Sequence, residues 1–263
     1  MGGEVFPSHP PSAWIQGYPG SGLAPRCRRG TDTVGGMATN EMTPVRALVT
    51  GGTGKLGSAI VERLRAEGWQ VVAAGSRDGD VGTAAGARAV VDRAVTECGG
   101  LDVLVNAASG PFIPEPFEVI SEATLDAVLA VSVKGSFLVS QAAAPHLRAS
   151  RGVIVMVEDV AAYQPWASFS AHCAAKAGQA MLTRVLAKAL APDVRVVGVA
   201  PGPVAVEPNQ EERRARETLL GRVGSAADVA EAVLYLTRAG FVTGASLVVD
   251  GGRLLQSAPP GNA

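Results

Sequence analysis

The sequence predicts an α/β fold, a doubly wound parallel sheet in a single domain spanning residues 44–256. Three observations carry this. From Arg46 onward, short apolar runs alternate with segments of helical spacing, the pattern of repeated βαβ units. Several runs, such as "LDVLVNAAS" from Leu101, are apolar on both faces, as strands between two helical layers must be. The first run also opens into a glycine-rich turn, "TGGTGKLG" over 50–57, just before a helix.

The elements follow in order. Residues 1–43 are rich in Gly, Pro and Ser, lack periodicity and offer little to bury, so a disordered extension is expected. They lack the basic stretch and apolar core of a secretory signal, and Met37 or Met42 would make a reasonable start. "RALVT" is the first strand, and "SAIVERLRAEG" is a helix stopped at Gly68. "QVVAAGS" is the second strand; "DRAVTECGG" supplies a helix; "LDVLVNAAS" is the next strand. A long helix runs over about 124–149, then come the strand "GVIVMVE" and a helix containing Lys176. "RVVGVAPG" and "SLVVDGG" complete the sheet, and 257–263 form a tail.

Composition narrows the function. Apolar residues make up 47% and charged ones 18% of 263 residues, enough for a sizeable core. A net charge of -1 and a pI near 6.3 give no electrostatic footprint for nucleic acid or anionic lipid. No uninterrupted apolar run is long enough to span a bilayer. Cys27, Cys98 and Cys173 show no CxxC spacing, and His9, His146 and His172 are scattered, so neither a disulfide framework nor a metal site is expected. A reducing cytoplasm is the expected location.

Glycines between a strand and a helix let the backbone approach a phosphate, which meets the helix N-terminal N–H groups. Thr50, Gly51, Thr53, Lys55, Leu56 and Gly57 are therefore expected to hold a dinucleotide. No Gly-Lys-Ser/Thr closes the turn, so it is not a nucleoside-triphosphate loop. An NAD site wants a carboxylate at the end of the next strand. Here Ser76 and Arg77 stand there, with Lys55 in the turn and Asp78 as the counter-argument, and these favour NADP with its 2′-phosphate.

These motifs resemble the short-chain dehydrogenase/reductase family over roughly 45–252. "TGGTGKLG" is similar to its cofactor turn, with Lys55 in place of the middle glycine. "NAAS" from Asn106, with Ala107 and Ala108, looks like its fourth-strand end. "PGPV", containing Pro201, Gly202 and Val204, resembles its nicotinamide-contacting segment, and "VTGASLVVDGG" its C-terminal signature. The basic turn residue and "DVAAYQP" look most like the pteridine reductase branch, which carries an Asp at the position of Asp159. The resemblance also implies a homodimer or homotetramer, built on the apolar excess of the two long helices.

Two departures from the family stand out. Too few residues separate Arg77 from Leu101 for the helix, strand and helix the family places there, so the third strand is expected to be deleted. That strand is the sheet edge, so the centre survives its loss; "GDV" at 79–81 is its remnant, and Asp80 stands where the family contacts adenine. By position, the family's catalytic Asn, Ser, Tyr and Lys fall on Ser132, Asp159, His172 and Lys176. Only the lysine is kept.

Reduction of a carbonyl needs a hydride at carbon and a proton at oxygen, and the protein must supply the acid. His172 and Lys176 share a helix face one turn apart, and an imidazole titrates near neutrality, so His172 could replace the missing phenol. The expected function is NADP(H)-dependent reduction of a small carbonyl or pterin-like substrate. The rival is a catalytically silent relative that binds nucleotide or a protein partner.

Overall fold

The computed structural model describes residues 44–256; the extension over 1–43 and the tail over 257–263 lie outside the described residues. Six parallel strands form one sheet: β1 Arg46–Thr50, β2 Gln70–Ala74, β3 Val103–Asn106, β4 Val153–Val157, β5 Arg195–Pro201 and β6 Ser246–Val249. Their order is β2-β1-β3-β4-β5-β6. This is the Rossmann-like doubly wound arrangement with β2 at the edge, and no strand lies outside it among the described residues.

The missing edge strand changes how the chain turns back. The path from β1 through α1 (Lys55–Ala66) steps outward to β2, and the path through α2 (Ala84–Cys98) returns past β1 to β3. Right-handed crossovers in opposite directions must lie on opposite faces of the sheet. Leu48, on one face of β1, packs with Val90, Val91 and Ala94 of α2; its neighbours Ala47 and Val49 pack with Ile60, Val61 and Leu64 of α1. The side-chain period of two along the strand sorts the core into its two layers. α6 (Ala226–Arg238) joins α1, while α4 (Ser136–Ser150) and α5 (Ser170–Leu190) join α2.

Two details differ from the sequence reading. Helix α2 starts well before Asp92, capped by Thr83, whose hydroxyl accepts the Gly86 N–H at 3.1 Å. Its first two turns, "AAGARAVV", are alanine-rich and need little help to be helical. The segment 79–81 keeps no strand character; Asp80 accepts the Gly82 N–H at 2.9 Å and closes a turn into α2.

α3 (Glu122–Leu129) runs through a π-turn at Ala130–Gly135 into α4, making one helix over Glu122–Ser150. Its most apolar 18-residue stretch has a mean hydropathy of 1.4, so by length and composition it could cross a membrane, although Asp126 and Lys134 interrupt its apolar run. Its inward face, with Val139, Ala143 and Leu147, is buried against the sheet. A buried core helix meets the same length and composition test.

Candidate active site

β1, β2 and β3 end in register, Thr50 pairing with both Ala74 and Asn106. The chain leaves β1 toward β2 on one side and β3 leads away on the other, so a crevice opens between their C-terminal ends, where such sheets bind ligands. A cavity of about 1070 Å³ lies there. That exceeds the roughly 300–1,000 Å³ of a drug-sized ligand site.

The glycine turn floors one end. Gly51 has φ +65°, and a Cβ there would stand 2.7 Å from the Ala107 carbonyl oxygen. A Cβ on Gly57 would meet the Gly51 oxygen at 2.1 Å, so only hydrogen fits where the turn folds under α1. No side chain caps α1 at Gly54, and its first turn holds no carboxylate. Its leading N–H groups are left for an anion. Gly51, Thr53, Lys55, Leu56 and Gly57 line the cavity, as do Ser76, Asp80, Ala107, Ala108, Pro201, Gly202 and Val204. This cradle fits a dinucleotide.

Four predicted residues stand outside the cavity wall. The Thr50 hydroxyl accepts the Ala108 N–H at 3.3 Å, tying β1 to the loop after β3. Asn106 donates to Ser140 Oγ at 3.0 Å inside the core. Ser132 is fully buried, and its hydroxyl accepts the Gly110 N–H at 3.1 Å, so it shapes the loop instead of meeting a ligand. Arg77 is exposed and turned away from the wall. Asp78 is occupied too: its carboxylate accepts the Gly75 N–H at 2.7 Å and pairs with Arg93. The Gly75 hydrogen bond, with Arg93 beside it, holds that carboxyl below the usual range.

The catalytic end is built by β4 and α5. Asp159 follows β4, with one oxygen accepting the Ala161 N–H at 2.8 Å. Its other oxygen lies 3.4 Å from His172 Nε2. His172, in the first turn of α5, is buried, and Phe112 meets its ring edge-on at 4.7 Å. Nδ1 is buried with no partner among the described residues, and Nε2 is the nitrogen that faces Asp159.

Lys176 lies one turn along α5. Its Nζ donates to the Val157 carbonyl at 2.9 Å and to Gln179 Oε1 at 3.0 Å, and its side chain lines the cavity. An ammonium has three donors, so one remains for a ligand. Gln179 cannot turn over: its Nε2 donates to Ser136 Oγ, which itself donates to the Ser132 carbonyl. Burial pushes the Lys176 pKa below its ordinary value, although the Asp159 and Glu158 carboxylates oppose this.

Glu158, Gln179 and Arg253 carry no signal in the sequence pattern, and Glu207 reads there only as one charge of a solvated segment. Glu158, buried behind the site, accepts from Thr183 (2.6 Å), Ser246 (2.9 Å) and Tyr163 (3.0 Å). Tyr163 is thereby committed, and desolvation raises its pKa above the usual phenol value; it does not line the cavity. Glu207, on the loop after β5, pairs with Lys55 across the mouth and is held below the usual carboxylate range by it. Pairs so far apart in sequence leave no local pattern to read.

The comparisons with known proteins agree with this geometry. A family model described as enoyl-(acyl carrier protein) reductase matches residues 58–253. The chain is 35% identical over 203 residues to tropinone reductase-like 3 of Erythroxylum coca, covering 73% of this chain and 77% of that protein. It is 34% identical over 243 residues to 3beta-hydroxysteroid dehydrogenase 1 of Eggerthella lenta, covering 79% and 93%. Among solved structures, a short-chain dehydrogenase/reductase from Serratia marcescens superposes with a TM-score of 0.72 at 32% identity, covering 79% and 96%. A Rossmann-like sheet, a glycine turn under a helix N-terminus and a lysine at the crevice thus meet matches along most of the chain: it belongs to the short-chain dehydrogenase/reductase family of nicotinamide-dependent oxidoreductases.

Proposed function

We propose that this chain is an NADP(H)-dependent reductase of a small carbonyl or pterin-like substrate, with Asp159 and His172 as a paired proton source. The observation that carries the reading is the convergence of Asp159, His172 and Lys176 on one cavity beside an uncapped helix N-terminus. The bound dinucleotide would supply hydride to the substrate carbon. The chain's own residues do the rest. Lys176 directs its remaining N–H at the cofactor ribose, and its charge favours negative charge on the substrate oxygen. The Asp159–His172 pair gives that oxygen its proton, leaving an alcohol or amine and a pair one proton poorer. Burial of His172 and Lys176 keeps water from competing.

NADP is favoured over NAD on narrower grounds than the sequence suggested, because Arg77 stands off the wall. Lys55 and Ser76 line the cavity, and Asp78, the carboxylate that would welcome a free 2′-hydroxyl, is turned to Arg93. A charge-assisted contact from Lys55 contributes about 1.5–3 kcal/mol, less up to about 1 kcal/mol for releasing the exposed Glu207 pair. NADPH should therefore bind several-fold to about 100-fold more tightly than NADH in calorimetry, and Lys55→Ala should narrow the gap. Equal affinities in the natural chain would defeat this reading.

A homodimer or homotetramer belongs to the same proposal. On α5, Leu190 is buried, while Met181 and Val185 are 52% and 51% exposed, and Phe137 of α4 is 42% exposed. Apolar side chains left outside on adjacent helices suit a self-complementary, two-fold interface. Light scattering at micromolar concentration should give at least twice the chain mass. Among the described residues Cys98 and Cys173 are free thiols, and a reducing cytoplasm is part of the proposal.

A further inference from the structure

Arg253 is a cavity residue that neither cofactor binding nor proton delivery employs. It follows Gly251 and Gly252, whose φ values of +63° and +84° turn the chain back toward the cavity after β6. Its side chain is only 12% exposed, and Cζ sits 4.9 Å over the Trp166 ring. That stacking fixes the plane of the guanidinium and leaves its N–H edge to be satisfied.

The available acceptors are too few. Among the described residues its ion partner is Glu217, at 3.1 Å, and Glu217 also pairs with Arg213 and Arg214. Three guanidiniums share one carboxylate. The other carboxylates that Arg253 feels are occupied: Asp159 by Ala161 and His172, Asp250 by the Gly252 and Leu254 N–H groups. The remaining N–H groups of Arg253 open onto the cavity, where a ligand can take them. Beside it the wall is aromatic: Phe112 and Trp166 line the cavity, and both pack on Phe169, Phe112 stacked at 4.4 Å and Trp166 edge-on at 6.1 Å.

We propose that Arg253, assisted by Arg214, is a carboxylate-recognition site, and that the substrate is a planar aryl-type carbonyl compound carrying an acid group. The inference rests on the reductase reading and names the substrate class of the same site. The guanidinium fork matches a carboxylate bidentately. The aromatic wall takes the ring, and the carbonyl then lies within reach of Asp159 and His172, on the same cavity.

The test compares phenylglyoxylate, an aryl 2-oxo acid, with neutral 1-phenylpropane-1,2-dione and with dihydrobiopterin, following NADPH oxidation by the full chain. The acid should show a kcat/KM at least about 10-fold above the dione, one charge-assisted contact being worth that much. Arg253→Met keeps an apolar stem on Trp166 and should bring the ratio close to one, with Arg253→Lys between. A preference for the dione or the dihydropterin, or an unchanged ratio in Arg253→Met, overturns the inference while leaving the reductase reading intact. If no compound is turned over, benzoate is titrated into the NADPH-loaded chain: binding that Arg253→Met loses supports the site, and no binding overturns it. If NADPH itself does not bind, the reductase reading fails, and benzoate titration of the chain alone still decides the arginine site by the same two outcomes.

Discussion

A Lys176→Met variant is expected to bind NADPH about 10- to 100-fold more weakly, the loss of one charge-assisted hydrogen bond. Its turnover should fall by about 10²–10³-fold, the usual effect of removing a group that stabilises charge in the transition state. The ammonium is held by the Val157 carbonyl and Gln179, with one donor left for the ligand, so affinity and turnover fail together. The pH dependence has a definite sign. Burial lowers the Lys176 pKa in the folded chain, so the alkaline decline in turnover should begin below the ordinary lysine value of about 10.4. Between the lowered and the ordinary value the unfolded chain binds more protons, so this group's contribution to stability rises with pH while turnover falls. Gln179→Glu should move the decline upward, because a carboxylate favours the ammonium; Gln179→Leu should move it downward. Wild-type NADPH affinity and turnover in Lys176→Met would remove Lys176 from the site.

The strand order, the layering and the missing edge strand were legible because each rests on local periodicity or on chain length. A strand buried on both faces, such as β3, shows it in four consecutive residues. Too short a connection between β2 and β3 forces the deletion whatever its residues are. The glycine turn was equally plain, because only glycine tolerates the Gly57 contact. What was hidden depends on where side chains point. Arg77 and Asp78 are sequence neighbours, yet one faces outward and the other is taken by Arg93, fifteen positions away. Ser132, expected from the resemblance to stand at a catalytic position, spends its hydroxyl on Gly110. Glu217 and Arg253 meet only through the fold, so the arginine looked like an ordinary residue after a glycine pair. Periodicity reports burial; it does not report partners.

The second large effect concerns the proton. His172→Ala is expected to lower turnover about 10²–10⁴-fold, the range for losing a positioned acid, with NADPH affinity held within a few-fold. The pair divides the work unevenly. His172 is nearly enclosed, its side chain 7% exposed, whereas Asp159 is 24% exposed and lies nearer the open cavity. Nε2 faces Asp159 Oδ2 at 3.4 Å, long for a hydrogen bond and ready to shorten once substrate excludes water. A proton leaving the imidazole for the cavity would therefore pass beside or through the carboxylate, so the two groups are expected to act as one site. Asp159→Asn keeps the shape and the contact to Ala161 but removes a charge that favours the imidazolium. It should lower turnover while leaving NADPH affinity within a few-fold. His172→Tyr places the family's usual donor on the same helix face, one turn from Lys176, and should retain turnover well above that of His172→Ala. A measurable wild-type rate, matched in size and pH profile by His172→Ala, would put the acid elsewhere. Asp159, the more open of the two, would then carry the proton alone, and Asp159→Asn would become the inactive variant.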